Sequence, residues 1–91
     1  MTAVLALPPR MGAQQAAALK EAILSHAGQD LALEASEVGH LGTPCLQVLL
    51  CAARDWAAAG RCLQLRHPSE AMQAQLALFG LTVRSLEGGG S

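Results

Sequence analysis

The residues with the clearest capacity for chemistry cluster between positions 36 and 46, where Ser-Glu-Val-Gly-His-Leu-Gly-Thr-Pro-Cys-Leu runs from an apolar stretch into a second one. Cys45 follows His40 by five positions at a predicted helix start. There, the helix N-terminus can lower a thiol pKa and an imidazole can accept its proton, the elements of a nucleophilic cysteine. No cation stands close in sequence to stabilise an oxyanion, and Cys45 precedes the apolar Leu49 by one helical turn, so the residues favour a small core thiol. Thr43 precedes Pro44 at the same start. Its hydroxyl can cap a free backbone N–H, with Pro tolerated at the first helical position. Equally, it offers a phosphorylation site where new negative charge meets the positive end of a helix.

Other chemistry is excluded by spacing. His26, His40 and His67 stand far apart, none with a second His, Cys or carboxylate at metal-ligand spacing. Glu34, Glu37, Asp55 and Glu70 form no acid–base pair. The chain has neither Gly-x-Gly-x-x-Gly nor a Gly-Lys-Ser/Thr loop. No metal and no cofactor is expected.

Positioning the 36–46 stretch requires an alternating α/β chain. Thr2–Leu7 reads as a first strand stopped by Pro8-Pro9. Residues 13–26 read as a helix with Ala16, Leu19, Ile23 and Ala27 on its apolar face, closed by Gly28. Leu31–Ala35 reads as a second strand, apolar enough to be covered on both faces. A helix follows from Pro44 to about Ala59, with Gln47, Cys51, Arg54, Asp55 and Ala58 as its thin outward face and Gly60 closing it. Arg61–Arg66 alternates with period two, giving a third strand nearer a sheet edge. Ser69 caps a last helix with Met72, Leu76 and Phe79 buried, ended by Gly80 with Leu81. Residues 81–86 are read as a short closing strand. The order βαβαβα with this final short β predicts a single α/β domain over 1–86, with a mostly parallel sheet of 3–4 strands and three helices. Residues 87–91 read as a flexible Gly/Ser tail. In such sheets the functional edge lies at the carboxyl ends of the strands, and the 36–45 join is the longest there.

Bulk composition agrees. At 91 residues, 52% hydrophobic and 14% charged, the chain is one small globular domain. A net charge of −1 with scattered charges gives no footprint for nucleic acid. The longest apolar run, Cys45–Ala53, is about half of the roughly 20 residues needed to span a bilayer, so no membrane insertion is expected. Met1–Leu7 lacks the features of a signal peptide, and three cysteines without C-x-x-C spacing suit reduced thiols; a cytoplasmic protein is expected.

The pattern Leu31–Ala35, Ser-x-Val, Leu-Gly-Thr-Pro-Cys-Leu at 41–46, Gln-Val-Leu-Leu at 47–50, then Pro-Ser-Glu-Ala at 68–71 and Leu-Phe-Gly-Leu at 78–81 resembles a STAS domain, the anti-sigma-factor-antagonist fold. The resemblance implies a non-catalytic module of bacterial signal transduction that switches partners with a kinase-like protein phosphorylating a loop Ser or Thr. The family's loop reads Asp-Ser/Thr-Ser-Gly-Leu. Here Gly42 stands at the Asp position, Thr43 at the first hydroxyl, Pro44 at the serine often phosphorylated and Cys45 at the Gly. Any phosphorylation switch therefore falls to Thr43. The usual N-terminal hairpin is reduced to Thr2–Leu7. Stand-alone members similar to this chain imply a kinase-like anti-sigma factor or chemotaxis partner. A second branch, with Thr at the Thr43 position, implies a cytoplasmic accessory subunit of a lipid-transport ABC transporter, whose partner is the ATPase. The partner surface implied is Gly39, His40, Gly42, Thr43 and Pro44 of the loop with Gln47, Cys51 and Arg54 of the helix. A thiol enzyme at Cys45 is the remaining alternative.

Overall fold

A computed structural model of the chain describes residues 2–87. Three parallel strands, β1 (Ala3–Ala6), β3 (Leu31–Glu34) and β5 (Leu63–Arg66), form a sheet in the order β1-β3-β5. A second parallel pair, β2 (Arg10–Met11) with β4 (His40–Leu41), stands beside it. The helices are α1 (Ala16–Leu24), α2 (Thr43–Ala58) and α3 (Glu70–Leu78). The α/β class, the mostly parallel sheet and the three helices agree with the sequence reading.

The register explains the core. Ala3, Leu31 and Leu63 stand in one row and Leu5, Leu33 and Leu65 in the next, all on one face of the sheet. Against that face pack Leu19 and Ile23 of α1, Leu46, Leu49 and Trp56 of α2, and Met72 and Leu76 of α3, in one buried cluster. The opposite rows, Val4-Ala32-Gln64 and Ala6-Glu34-Arg66, carry no such layer among the described residues. Ala32 is buried yet lies outside the core cluster, shielded within its own sheet face. Strand β3 is thus central but layered on one side, where two covered faces were expected. β5 lies at an edge and alternates buried and exposed, as its period-two pattern predicts.

Several expectations are corrected. Pro8-Pro9 ends β1 as expected, but a second strand, which was not expected, follows directly: the Pro9 carbonyl accepts from Gly39 and His40, and Gly42 N–H donates to the Met11 carbonyl at 2.8 Å. The resulting β2–β4 pair is two residues long, too short to carry a periodic signal, and is held because Met11 and Leu41 are buried. The first helix starts with a 3-10 turn over Ala13–Gln15 and ends at Leu24, so Ala27 is exposed rather than on the apolar face. Phe79 is the C-cap of α3 and half exposed, because Gly80, at φ 73°, turns the chain and Leu81 N–H closes on Leu76.

The closing strand over 81–86 is instead a 3-10 turn, Val83–Leu86. Its fully buried Leu86 pins the turn against the core, and the Glu87 carboxylate accepts from Leu65 N–H at 3.1 Å, covering the outer side of β5 where a further strand would have paired. Apart from Glu87, the tail read over 87–91 lies outside the described residues. No described helix is long and apolar enough to cross a membrane.

Candidate functional site

The start of α2 is set by Gly42, not Thr43. Gly42 is extended (φ −80°, ψ 160°), and its carbonyl accepts from Leu46 N–H at 3.0 Å, which makes it the N-cap. Thr43 and Pro44 are therefore the first two helical residues, and Thr43 makes no capping bond. The capping role expected of Thr43 is corrected, and its hydroxyl stands exposed at the positive end of a helix. A side chain at Gly42 would bring its Cβ to 3.0 Å from the Met11 carbonyl oxygen, so the close approach of β2 to the helix start favours glycine there.

The loop before α2 is pinned. The Ser69 hydroxyl donates to the Val38 carbonyl while accepting from Met72 N–H at 3.0 Å as the cap of α3. Gln75 of α3 accepts from Leu41 N–H at 2.8 Å and donates to the Gly39 carbonyl at 3.3 Å. Pattern reading missed Gln75: a lone glutamine on an amphipathic helix gives no sign that it closes a strand edge far away in sequence.

The expected partner surface divides into two parts joined at Gly42 and Thr43. Gly39 and His40, with Pro9 and Arg10, form a shallow hollow, and the β2–β4 register puts His40 beside Arg10. Pro44, Gln47, Cys51 and Arg54 line a second groove, of 390 Å³, together with Asp55, Val48, Trp56 and the α1 residues Lys20, Ile23 and Leu24. Helical spacing puts Thr43, Gln47, Cys51 and Arg54 along one exposed stripe. Its neighbouring wall is apolar, and Leu24 is 50% exposed at the rim. Trp56 is itself buried and donates its indole N–H to the Gln29 carbonyl at 2.9 Å, which fixes the groove floor. The α1 contribution to this groove was not legible, because it depends on how two helices cross.

The reactive-thiol arrangement is not formed. Cys45 is buried and donates its S–H to the Gly12 carbonyl at 3.3 Å. Burial pushes its thiol pKa up, the reverse of what a nucleophile needs. Cys51, by contrast, is exposed. At the carboxyl end of the main sheet, His67 holds a left-handed φ of 50° and its Nδ1 lies 3.0 Å from Glu34 Oε1. The hydrogen bond from His67 holds the Glu34 carboxyl below its ordinary pKa, against partial burial that acts the other way. Among the described residues no group of three or more His, Cys, Asp or Glu could hold a metal ion.

The family model described as "Mlab, STAS domain" matches residues 1–87. The chain belongs to the STAS domain family. STAS domains are generally non-catalytic, and the family supports a general role as an interaction module of the anti-sigma-factor-antagonist type. Comparison with the curated proteins and with the solved structures gave no match. In this STAS domain the N-terminal run Thr2–Leu7 holds the single strand β1, and the next strand, β2, pairs with β4 and not with β1.

Proposed function

We propose that this STAS domain is a non-catalytic docking module whose α1–α2 groove, with Thr43 at its mouth, receives a protein partner in bacterial signal transduction. The observation that carries the reading is the coincidence, on one concave surface, of the exposed stripe Gln47-Cys51-Arg54 with the half-exposed Leu24 of α1. Apolar wall, mixed-charge rim and concavity are the ingredients of a groove that accepts a helix or loop of another protein. Lys20 and Arg54 stand opposite Asp55 in charge on that rim, so a partner segment carrying both signs is favoured.

The partner in this reading is a kinase-like anti-sigma factor or chemotaxis protein. Thr43 is the switch: a phosphate there is stabilised by the helix N-terminus while changing shape and charge at the edge of the docking surface. A second reading, an accessory subunit bound to the ATPase of a lipid-transport ABC transporter in the cytoplasm, is favoured by Thr43 followed by Pro44. That pair keeps a hydroxyl and removes the residue the partner-switching branch phosphorylates.

Co-purification from the native host, with bound proteins identified by mass spectrometry, separates the two. A recovered histidine-kinase-like protein supports the first reading and a transporter ATPase the second. Thr43→Glu is expected to weaken the recovered complex while leaving the fold intact; a folded Thr43→Glu protein that binds unchanged overturns the switch.

A further inference from the structure

The two edges of the main sheet are treated differently. In β5 the residues whose backbone faces outward are Leu63 and Leu65, since Cys62 and Arg66 carbonyls accept from Leu31 and Ala35 of the central strand. That edge is covered by the 3-10 turn, and the Glu87 carboxylate takes the Leu65 N–H. In β1, Ala3 and Leu7 donate inward to Asp30 and Glu34, so by the same alternation Val4 and Ala6 turn both N–H and C=O outward. None of these four groups has a partner among the described residues, and both residues are exposed, Val4 at 55%. The edge also lacks the usual deterrents: Thr2–Leu7 holds no charge and no proline.

We propose that β1 pairs antiparallel with β1 of a second copy of this chain about a twofold axis at Leu5. In that register Val4 of each protomer exchanges both backbone hydrogen bonds with Ala6 of the other, which satisfies all four outward groups on each strand. The larger Val4 side chain meets the small Ala6, and Leu5, half-buried in the monomer, meets its twin on the helix-covered face. On the open face the rows become Gln64-Ala32-Val4 continued by Ala6-Glu34-Arg66 of the second copy. An apolar strip of Val4, Ala32 and Ala6 therefore crosses the axis. Each Glu34 keeps Arg66 as its row neighbour, and no like charges face each other.

Pro8 and Pro9 stop the pairing from extending, which fixes this register against slippage. A four-residue strand pair buries well under about 1,200 Å² in total, the range of weak and reversible association. The dimer therefore forms between about 10 µM and 1 mM, below the affinity of a permanent complex. A second copy, not a foreign strand, is the occupant because the edge is complementary to itself in hydrogen bonding, side-chain size and charge.

Sedimentation equilibrium on the intact chain, with amide hydrogen exchange by NMR, tests this. The average mass is expected to rise from the monomer's 9.4 kDa toward twice that value with concentration. Over the same range the Val4 and Ala6 amides should slow at least several-fold, while the Leu5 amide is protected throughout. Ala6→Pro removes only an outward N–H and leaves the β1–β3 ladder intact, so it is expected to weaken the dimer more than tenfold with an unchanged circular dichroism spectrum. Val4→Glu, which puts a carboxylate on the strip near Glu34 of the second copy, is the second variant should Ala6→Pro not fold. A wild-type chain that stays at monomer mass to about 1 mM overturns the proposal. So does a dimer that persists in the folded variants, or Val4 and Ala6 amides indifferent to concentration.

Discussion

Replacing Gln75 by alanine tests whether α3 sets the loop that leads into α2. Leu41 is 2% exposed, and its N–H points away from β2, because the neighbouring Gly42 and His40 N–H groups already serve that side. Gln75 is its partner, at 2.8 Å. Removing the amide loses one hydrogen bond, a net contribution of about 1 kcal/mol, and leaves a buried donor unsatisfied, which raises the total toward about 2 kcal/mol. The longer bond to the Gly39 carbonyl is exposed and adds little. Alanine's better helix propensity returns about 0.3 kcal/mol. The expected destabilisation is therefore about 1–2 kcal/mol, or a fall in Tm of roughly 5–15 °C for a domain of this size. Urea unfolding reads the global term, and hydrogen exchange at the Leu41 amide reads the local one. Gln75→Glu, which keeps the acceptor, should recover most of the loss. A Gln75→Ala protein within about 0.5 kcal/mol of wild type, with an equally protected Leu41 amide, would refute the pinning argument.

The three cysteines should react with a disulfide reagent in the order Cys51, Cys62, Cys45, following exposed, intermediate and buried positions, with Cys45 modified only as fast as the protein opens. Because the folded Cys45 pKa is raised, its contribution to stability is complete below the ordinary thiol pKa of 9.0 and falls as the pH climbs above it. Urea midpoints of wild type and Cys45→Ala should therefore converge above about pH 9. For Glu34 the sign is opposite: its folded pKa is lowered, so its contribution is present at neutral pH and is lost as the pH falls through the folded value, below 4.5. The gap between wild type and Glu34→Gln should close on acidification and shrink in high salt, as an exposed pair requires.

Much of this fold was legible because its signals are local. The leucines of β3 and β5 announce strands by their local pattern, and the glycines at 28, 60 and 80 and the Ser69 cap act through neighbours within a few residues. What was not legible depends on distant pairing. Arg10–Met11 becomes a strand only because His40–Leu41 lies beside it, and residues 83–86 turn instead of extending because Leu86 and Glu87 are claimed by the core and by β5. The site divides in the same way. Gln47, Cys51 and Arg54 were readable as the outward stripe of one helix. The groove wall from Lys20, Ile23 and Leu24 and the tether from Gln75 required knowing which elements meet. Thr43 lost its capping role because Gly42, with its extended backbone, supplies the cap.

Besides the β1 edge, the described residues present two apolar surfaces for a partner: the groove with Leu24, and the end of α3, where Leu78 is 84% exposed. The most direct test of groove docking compares the affinity of the co-purified partner for Leu24→Glu and Leu78→Glu. Completing the burial of a half-exposed leucine contributes about 1 kcal/mol or more, so losing it and placing a charge against the apolar wall should weaken binding at least tenfold. The account predicts that loss for Leu24→Glu and unchanged affinity for Leu78→Glu, both proteins remaining folded. Retained binding by Leu24→Glu, with loss by Leu78→Glu, would contradict it.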